Sequence, residues 1–166
     1  MIGLQRENLG ILWLLVRLWL GYEWLSSGLE KVGNPAWTGA GAGTAVTGFL
    51  KGAIAKAAEG AHPEVHGWYA NLINSIALPN AKLFSYLVAY GEVLVGIALV
   101  LGLFTTFAAL VGAFMNLNYL WAGTSSTNPE MLVLQLLLLT AGPVAGIIGL
   151  DRFILPVLRQ RFQNKQ

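Results

Sequence analysis

Arg17, Glu23 and Glu92 are ionisable residues set inside stretches otherwise apolar enough to cross a bilayer. A charge at the bilayer centre costs about 2.5–3.5 kcal/mol on insertion scales. Chains keep such residues where they pair, line a wet cavity or move protons. Arg17 offers a guanidinium that matches the oxygens of an oxyanion. Glu23 and Glu92 offer carboxyls that can give or take a proton. Amides accompany them: Asn116, Asn118 and Gln135 also interrupt apolar runs. Aromatic residues crowd the same regions, among them Trp24, Tyr90, Tyr119 and Trp121. Interfacial belts are the usual use of such rings. Flat rings beside a polar pocket also suit a ligand headgroup that stacks and takes a few hydrogen bonds.

The elements that must position these groups are membrane spans. The chain has 166 residues, of which 55% are apolar and 11% charged. A soluble domain carries roughly 25% charged residues. The length suits one domain over residues 1–166, most of it spent on spans. The formal net charge is only +2, and no basic patch with interleaved aromatics points to nucleic acid. Cysteine is absent, which excludes disulfides, thiolate metal sites and cysteine nucleophiles within the chain. Redox chemistry here would need a diffusible cofactor or a partner. Arg17 and Glu23 interrupt the first apolar run, and no small-residue cleavage motif follows closely. That run therefore reads as a retained span rather than a cleaved signal.

Four segments have the length and polarity of spans: 9–27, 83–102, 106–123 and 129–150. Pro143 predicts a kink or loosening in the last. Short connections near 103–105 and 124–128 force antiparallel neighbours, so the expected fold is all-α, an integral membrane four-helix up-down bundle. Ala89, Gly96, Gly112, Gly142, Gly146 and Gly149 supply small residues where helices would touch. Residues 28–82 form a long first loop, with two short amphipathic helices expected over 44–59 and 63–78. The tail 151–166 carries Arg152, Arg159, Arg161 and Lys165, which favours cytoplasmic termini and an extracytoplasmic first loop.

Depth can be counted at 1.5 Å per residue. Arg17 falls about 12 Å above the inner end of the first span and Glu92 about 15 Å from each end of the second. The amides and Glu23 fall at the midplane or in the outer half. The pattern predicts a polar pocket opening outward, floored by an Arg17–Glu92 pair whose coupling offsets its insertion cost. Glu23 either lines this pocket or reaches outward to Lys31. No metal site is expected. His62 and His66 are four apart, but Pro63 between them starts the helix and leaves His62 outside it. The run Gly39-Ala40-Gly41-Ala42-Gly43 lacks the strand and the Gly-Lys-Ser/Thr of a phosphate loop.

Three segments carry a resemblance: Arg17-Leu-Trp-Leu-Gly-Tyr-Glu-Trp-Leu-Ser-Ser-Gly-Leu-Glu-Lys31, Tyr90-Gly-Glu-Val-Leu-Val-Gly-Ile-Ala-Leu-Val-Leu-Gly-Leu-Phe-Thr105 and Gly149-Leu-Asp-Arg-Phe153. They resemble the DoxX/DoxD family over residues 10–155, and the long first loop is most similar to the DoxD branch. The resemblance implies a membrane subunit of thiosulfate:quinone oxidoreductase in the cytoplasmic membrane. It implies a diffusible quinone and a small DoxA-like partner subunit, with no metal or covalently attached cofactor. On that reading Arg17 and Lys31 attract the sulfur oxyanion, and Glu92 with Glu23 supplies protons to the quinone. Asn116, Asn118 and Gln135 hydrogen-bond the bound species, and Trp24, Tyr90, Tyr119 and Trp121 stack on the headgroup. The sequence leaves homo-oligomerisation open. The competing reading is non-enzymatic: a small-anion carrier, or a docking and assembly protein. A carrier usually shows inverted repeats, and none is evident here.

Overall fold

The computed structural model describes residues 2–163, and all regular structure among them is helical. In chain order the helices are α1 Ile2–Gly33, α2 Thr44–Lys56, α3 Gly67–Leu72, α4 Ala81–Leu101, α5 Thr105–Trp121, α6 Asn128–Ala141 and α7 Asp151–Gln163. α3 runs on into a π-helical turn, Ile73–Ala77, and α6 into a 3-10 turn, Gly142–Gly146. Three stretches are long and apolar enough to cross a bilayer: Leu9–Gly33, Ala81–Leu101 and Asn128–Gly146. α5 occupies the place of the expected third crossing but has only 17 residues. That is about 26 Å at 1.5 Å per residue. Of the basic tail, the side chain of Arg159 and residues 164–166, Lys165 among them, lie outside the described residues.

Helix α1 runs to Gly33, past the expected end at residue 27. Its register against α4 explains why. A β-carbon at Gly28 would stand 2.6 Å from the backbone nitrogen of Val93, and one at Gly96 the same 2.6 Å from that of Leu25. Gly21 meets Val100 in the same way. Small residues thus bring the two antiparallel backbones together, as helices in lipid require. Gly28, which looks like a helix end in the sequence, is instead a point of contact. α1, α4, α5 and α6 share one core of Leu20, Trp24, Val95, Leu99, Ala108, Ala109, Met131 and Leu138. Their outer faces stay apolar and exposed, as at Leu15, Leu94, Phe107 and Val133. Patches of that kind on a helical protein suit a lipid solvent.

α6 stops at Ala141, short of the expected end at residue 150. Gly142 turns at φ 55° and Pro143 has no amide hydrogen to donate, so the chain tightens into the 3-10 turn. Residues 149–151 then lie along the α4–α5 turn. The Leu150 N–H donates to Leu101 O at 3.1 Å and the Asp151 N–H to Gly102 O at 2.8 Å. The Asp151 carboxylate accepts from the N–H groups of Phe104 at 2.6 Å and Thr105 at 2.8 Å, capping α5 from a distance. Phe104 sits at φ 47°. That left-handed conformation costs a non-glycine residue about 1–2 kcal/mol, which these two charge-assisted bonds offset.

At the opposite end α2, α3 and the π turn pack on the start of α4 and the end of α5. Val46, Leu50, Val65, Tyr69, Ile73, Ala81 and Ala122 form this second buried cluster. α3 begins at Gly67 rather than Pro63, so His62, Pro63 and Glu64 stay in the loop before it. Lys56 fastens the cap: its ammonium donates to Gly123 O and lies 3.3 Å from Glu64. The segment 34–43 folds back through turns. Ser85 Oγ donates to Trp37 O at 2.5 Å and Tyr86 OH to Thr38 O at 3.1 Å, which pins the Trp37 backbone to α4.

Candidate functional site

Glu92 lies near the middle of α4 and is 1% exposed. Its two oxygens have different donors. Lys31 Nζ donates to Oε2 at 2.7 Å, and Tyr119 OH donates to Oε1 at 2.7 Å. Lys31 also donates to Ser27 Oγ at 2.6 Å, one turn back along α1. Its ammonium sits 5.3 Å from the centre of the Trp37 ring, a cation–π distance. Three elements thus converge: α1 supplies the ammonium, α4 the carboxylate and α5 the phenol.

This cluster floors an open cavity of about 490 Å³. Trp24, Trp37, Phe49 and Tyr119 wall it, and Glu23, Glu30, Ser126 and Asn128 line it too. Trp24 and Tyr119 lie 6.4 Å apart at a tilt of 40°, and Phe49 meets Tyr119 edge-on at 6.3 Å. Counting the charged side chains that line it gives three carboxylates, Glu23, Glu30 and Glu92, against the single ammonium of Lys31. A dianion resident in this cavity would meet net repulsion. A neutral, flat molecule that accepts hydrogen bonds would meet the Lys31 ammonium and aromatic rings.

The expected Arg17–Glu92 pair is not formed. Arg17 is fully buried, but its guanidinium donates to Leu99 O at 3.2 Å and to Ile148 O. It lies against Gly102 and Gly149, at the end of α4 remote from the cavity, with the Asp151 carboxylate acting on it. The reason is register. Arg17 and Lys31 are fourteen positions apart on α1, about 21 Å, so one α1–α4 register admits only one of them beside Glu92. The Gly28–Val93 contact selects Lys31. Counting depth from residue 9 placed Arg17 too far along. The alternative contact of Glu23 with Lys31 is not formed either, although Glu23 does line the cavity.

The other expected residues divide. Trp24 and Tyr119 line the cavity with Lys31, Glu23 and Glu92. Asn116 and Gln135 lie beneath it, fully buried, with Asn116 Nδ2 donating to Gln135 Oε1 at 2.8 Å. Their remaining polar atoms, Asn116 Oδ1 and Gln135 Nε2, have no partner, nor has Trp24 Nε1. Gln135 Nε2 and Trp24 Nε1 both crowd the place where a β-carbon of Gly112 would stand, so the space for them comes from a missing side chain. Asn118 turns to the cap, where its carbonyl and Oδ1 accept from Tyr69 OH at 3.1 and 3.0 Å. Burial raises the Tyr69 phenol above its ordinary value. Tyr90 is 48% exposed and stacks on Tyr86 at 6.2 Å, away from the cavity. Trp121 packs edge-on to Trp68 at 5.3 Å inside the cap.

Glu30, Ser27 and Trp37 were not singled out as site residues from sequence. The signal existed: Ser27 and Lys31 are four apart, so one uninterrupted helix puts them on one face with Glu30 beside them. Among the described residues no group of three or more His, Cys, Asp or Glu is placed to hold a metal ion. His62 and His66 are both exposed in the loop before α3.

A family model, DoxX, matches residues 12–124. That stretch contains Lys31, Glu92 and Tyr119, and ends before Gln135 and Asp151. No curated protein and no solved structure matches the chain.

Proposed function

The chain belongs to the DoxX family, and from that premise we propose that this membrane protein is the membrane subunit of a quinone-linked sulfur-compound oxidoreductase. The observation that carries the reading is Glu92: a carboxyl 1% exposed in mid-helix, held by Lys31 and Tyr119 at the foot of an aromatic-walled cavity. Burying a carboxylate there is costly even when it is paired. A proton-handling role beside a bound headgroup accounts for it.

In the proposed reaction two thiosulfates lose two electrons and join through a new sulfur–sulfur bond as tetrathionate. The quinone takes those two electrons and two protons and leaves as quinol. Lys31 donates a hydrogen bond to a quinone oxygen with the N–H that Glu92 and Ser27 leave over, Tyr119 keeps its proton on Glu92, and Trp37 and Trp24 flank the ring. Glu92 passes protons to the headgroup, resupplied from the mouth of the cavity past Glu23 and Glu30. The acidic lining makes the cavity a poor resting place for the thiosulfate dianion. The sulfur compound is therefore assigned to the cavity mouth at a junction with a small DoxA-like partner subunit. With α5 taken as the third crossing beside α1, α4 and α6, the chain forms an up-down four-helix bundle in the cytoplasmic membrane, with both termini inside and the cavity facing out.

A carrier role is less well supported. Leu20, Leu99 and Leu138 are fully buried in the core shared by the long helices, apolar packing that disfavours a through-route for an anion. The purified full chain in lipid nanodiscs, with and without a partner subunit, tests the proposal. Thiosulfate should reduce a short-chain quinone and yield tetrathionate. Loss of a positioned proton-transfer group typically slows a reaction about 10²-fold or more, and Glu92→Gln should do so here. Unchanged turnover in Glu92→Gln would remove the assigned role. Stable capture of a redox enzyme with no quinone bound would favour the docking and assembly reading.

A further inference from the structure

A second cavity, of about 460 Å³, lies on the other side of the Tyr119 ring. It shares Trp37, Phe49 and Tyr119 with the polar cavity, so the two meet along one aromatic sill. Its walls are the first half of α4, the second half of α5, and the underside of α2 and the π turn. The wider π geometry carries Ile73, Ile76 and Ala77 along its roof. The lining is mostly apolar, and most of its polar side-chain groups are engaged: the phenol of Tyr69 is bonded to the Asn118 carbonyl and Oδ1, Asn118 Nδ2 to Phe114 O, and the phenol of Tyr119 to Glu92. The space therefore suits hydrocarbon.

The mouth opens sideways. Phe114 is 64% and Leu87 57% exposed at its rim, on the outer faces of α5 and α4. α4 is a helix long and apolar enough to cross the bilayer, so this mouth faces acyl chains rather than water. A chain that moves from lipid into such a groove gains little from the hydrophobic effect, because lipid is already apolar. Selection must then come from a polar head at the far end. The sill supplies one, because a molecule threaded from the rim past Phe49 and Tyr119 arrives at Lys31 and Glu92.

We infer that this lateral groove holds the isoprenoid tail of the quinone and is the route by which it enters from the membrane. The inference rests on the headgroup assignment above and adds a tail subsite to it. It commits to a ligand drawn from the lipid phase, head first, between α4 and α5. Phe49, Trp37 and Tyr119 then mark the boundary between tail and head.

The test uses the full chain in nanodiscs and two quinones with the same headgroup, one without a tail and one with a long isoprenoid tail. Binding is read as quenching of the chain's tryptophan fluorescence. Val88→Trp fills the groove from α4, and Ile76→Trp fills it from the π turn, so that misfolding of one leaves the other. Leu94→Trp, on an exposed position of α4 outside the groove, is the control. Each filling variant should weaken the long-tailed quinone about tenfold relative to the tail-less one, and the control should leave both unchanged. Equal weakening of both quinones, or of neither, overturns the tail subsite while leaving the headgroup reading intact. Failure of both quinones to bind the wild-type chain overturns the headgroup reading, and this subsite with it. Recovery of a phospholipid chain that the long-tailed quinone does not displace also overturns it.

Discussion

The sharpest prediction concerns which cation Glu92 depends on. Lys31→Met removes one of two donors to a carboxylate that is 1% exposed. Breaking a buried pair on one side costs about 3–5 kcal/mol, because the partner charge stays behind. Tyr119 keeps its bond to Oε1, which places the expected loss at the low end, about 3 kcal/mol. Glu92→Gln should cost less. It leaves Lys31 20% exposed toward the cavity and still bonded to Ser27 Oγ, so the stranded ammonium stays partly solvated. The double variant should recover most of the loss. Coupling between contacting residues spans about 0.5–3 kcal/mol, and this pair belongs in the upper half of that range. Arg17→Met with Glu92→Gln should be additive within about 0.5 kcal/mol, as for separated sites. The measurement is reversible unfolding, in mixed micelles, of the wild type with the two single variants and the double variant of each pair. Strong coupling of Glu92 to Arg17, with none to Lys31, would refute the register on which the site is built.

Other outcomes follow from the same contacts. Gly96→Val forces a side chain into the Leu25 backbone, where a β-carbon alone would stand 2.6 Å away. Overpacking costs about 1–3 kcal/mol or more, and the variant should elute as aggregate in size-exclusion chromatography. Asp151→Ala strips the caps from Phe104 and Thr105 and should lower stability by about 1–2 kcal/mol, read as a drop in melting temperature. Tyr69 has a raised pKa from burial. The folded state therefore holds the phenolic proton more tightly than the unfolded chain. Its contribution is complete below the unfolded value of about 10 and fades as pH rises through the folded one. Tyr69→Phe should flatten this part of the alkaline stability profile, and an unchanged slope would show that the phenol does not contribute.

The apolar runs made the helices readable, and Gly142-Pro143 made the end of α6 readable as a loosening. The site was only half legible because it depends on register between helices, which spacing within one helix does not contain. Ser26-Ser27-Gly28 breaks the hydropathy of the first run and looks like its end. In the fold those small residues let α1 pass close to α4 and carry Lys31 to the depth of Glu92. Arg17, inside the first apolar run, carried the stronger sequence signal, yet it lies in the middle of α1, beside the far end of α4, while Lys31 near the end of α1 reaches Glu92. Asn116 and Gln135 show why a polar residue in an apolar run is ambiguous. They share one hydrogen bond beneath the cavity floor instead of lining it. Tyr90 and Trp121 could not be told from Trp24 and Tyr119 without knowing which way each helix turns.

The knot that Arg17 and Asp151 tie around the α4–α5 turn has a mechanical consequence. Backbone carbonyls, capped amides and backbone-tight glycines all meet there, so that extremity behaves as the clamped stem of a tuning fork. Compliance is left to the opposite extremity, where the prongs α4 and α5 part around a wedge of short helices. On the proposed lateral route, admission of a guest is then a matter of prising the tips, with the pivot about 20 Å away at 1.5 Å per residue.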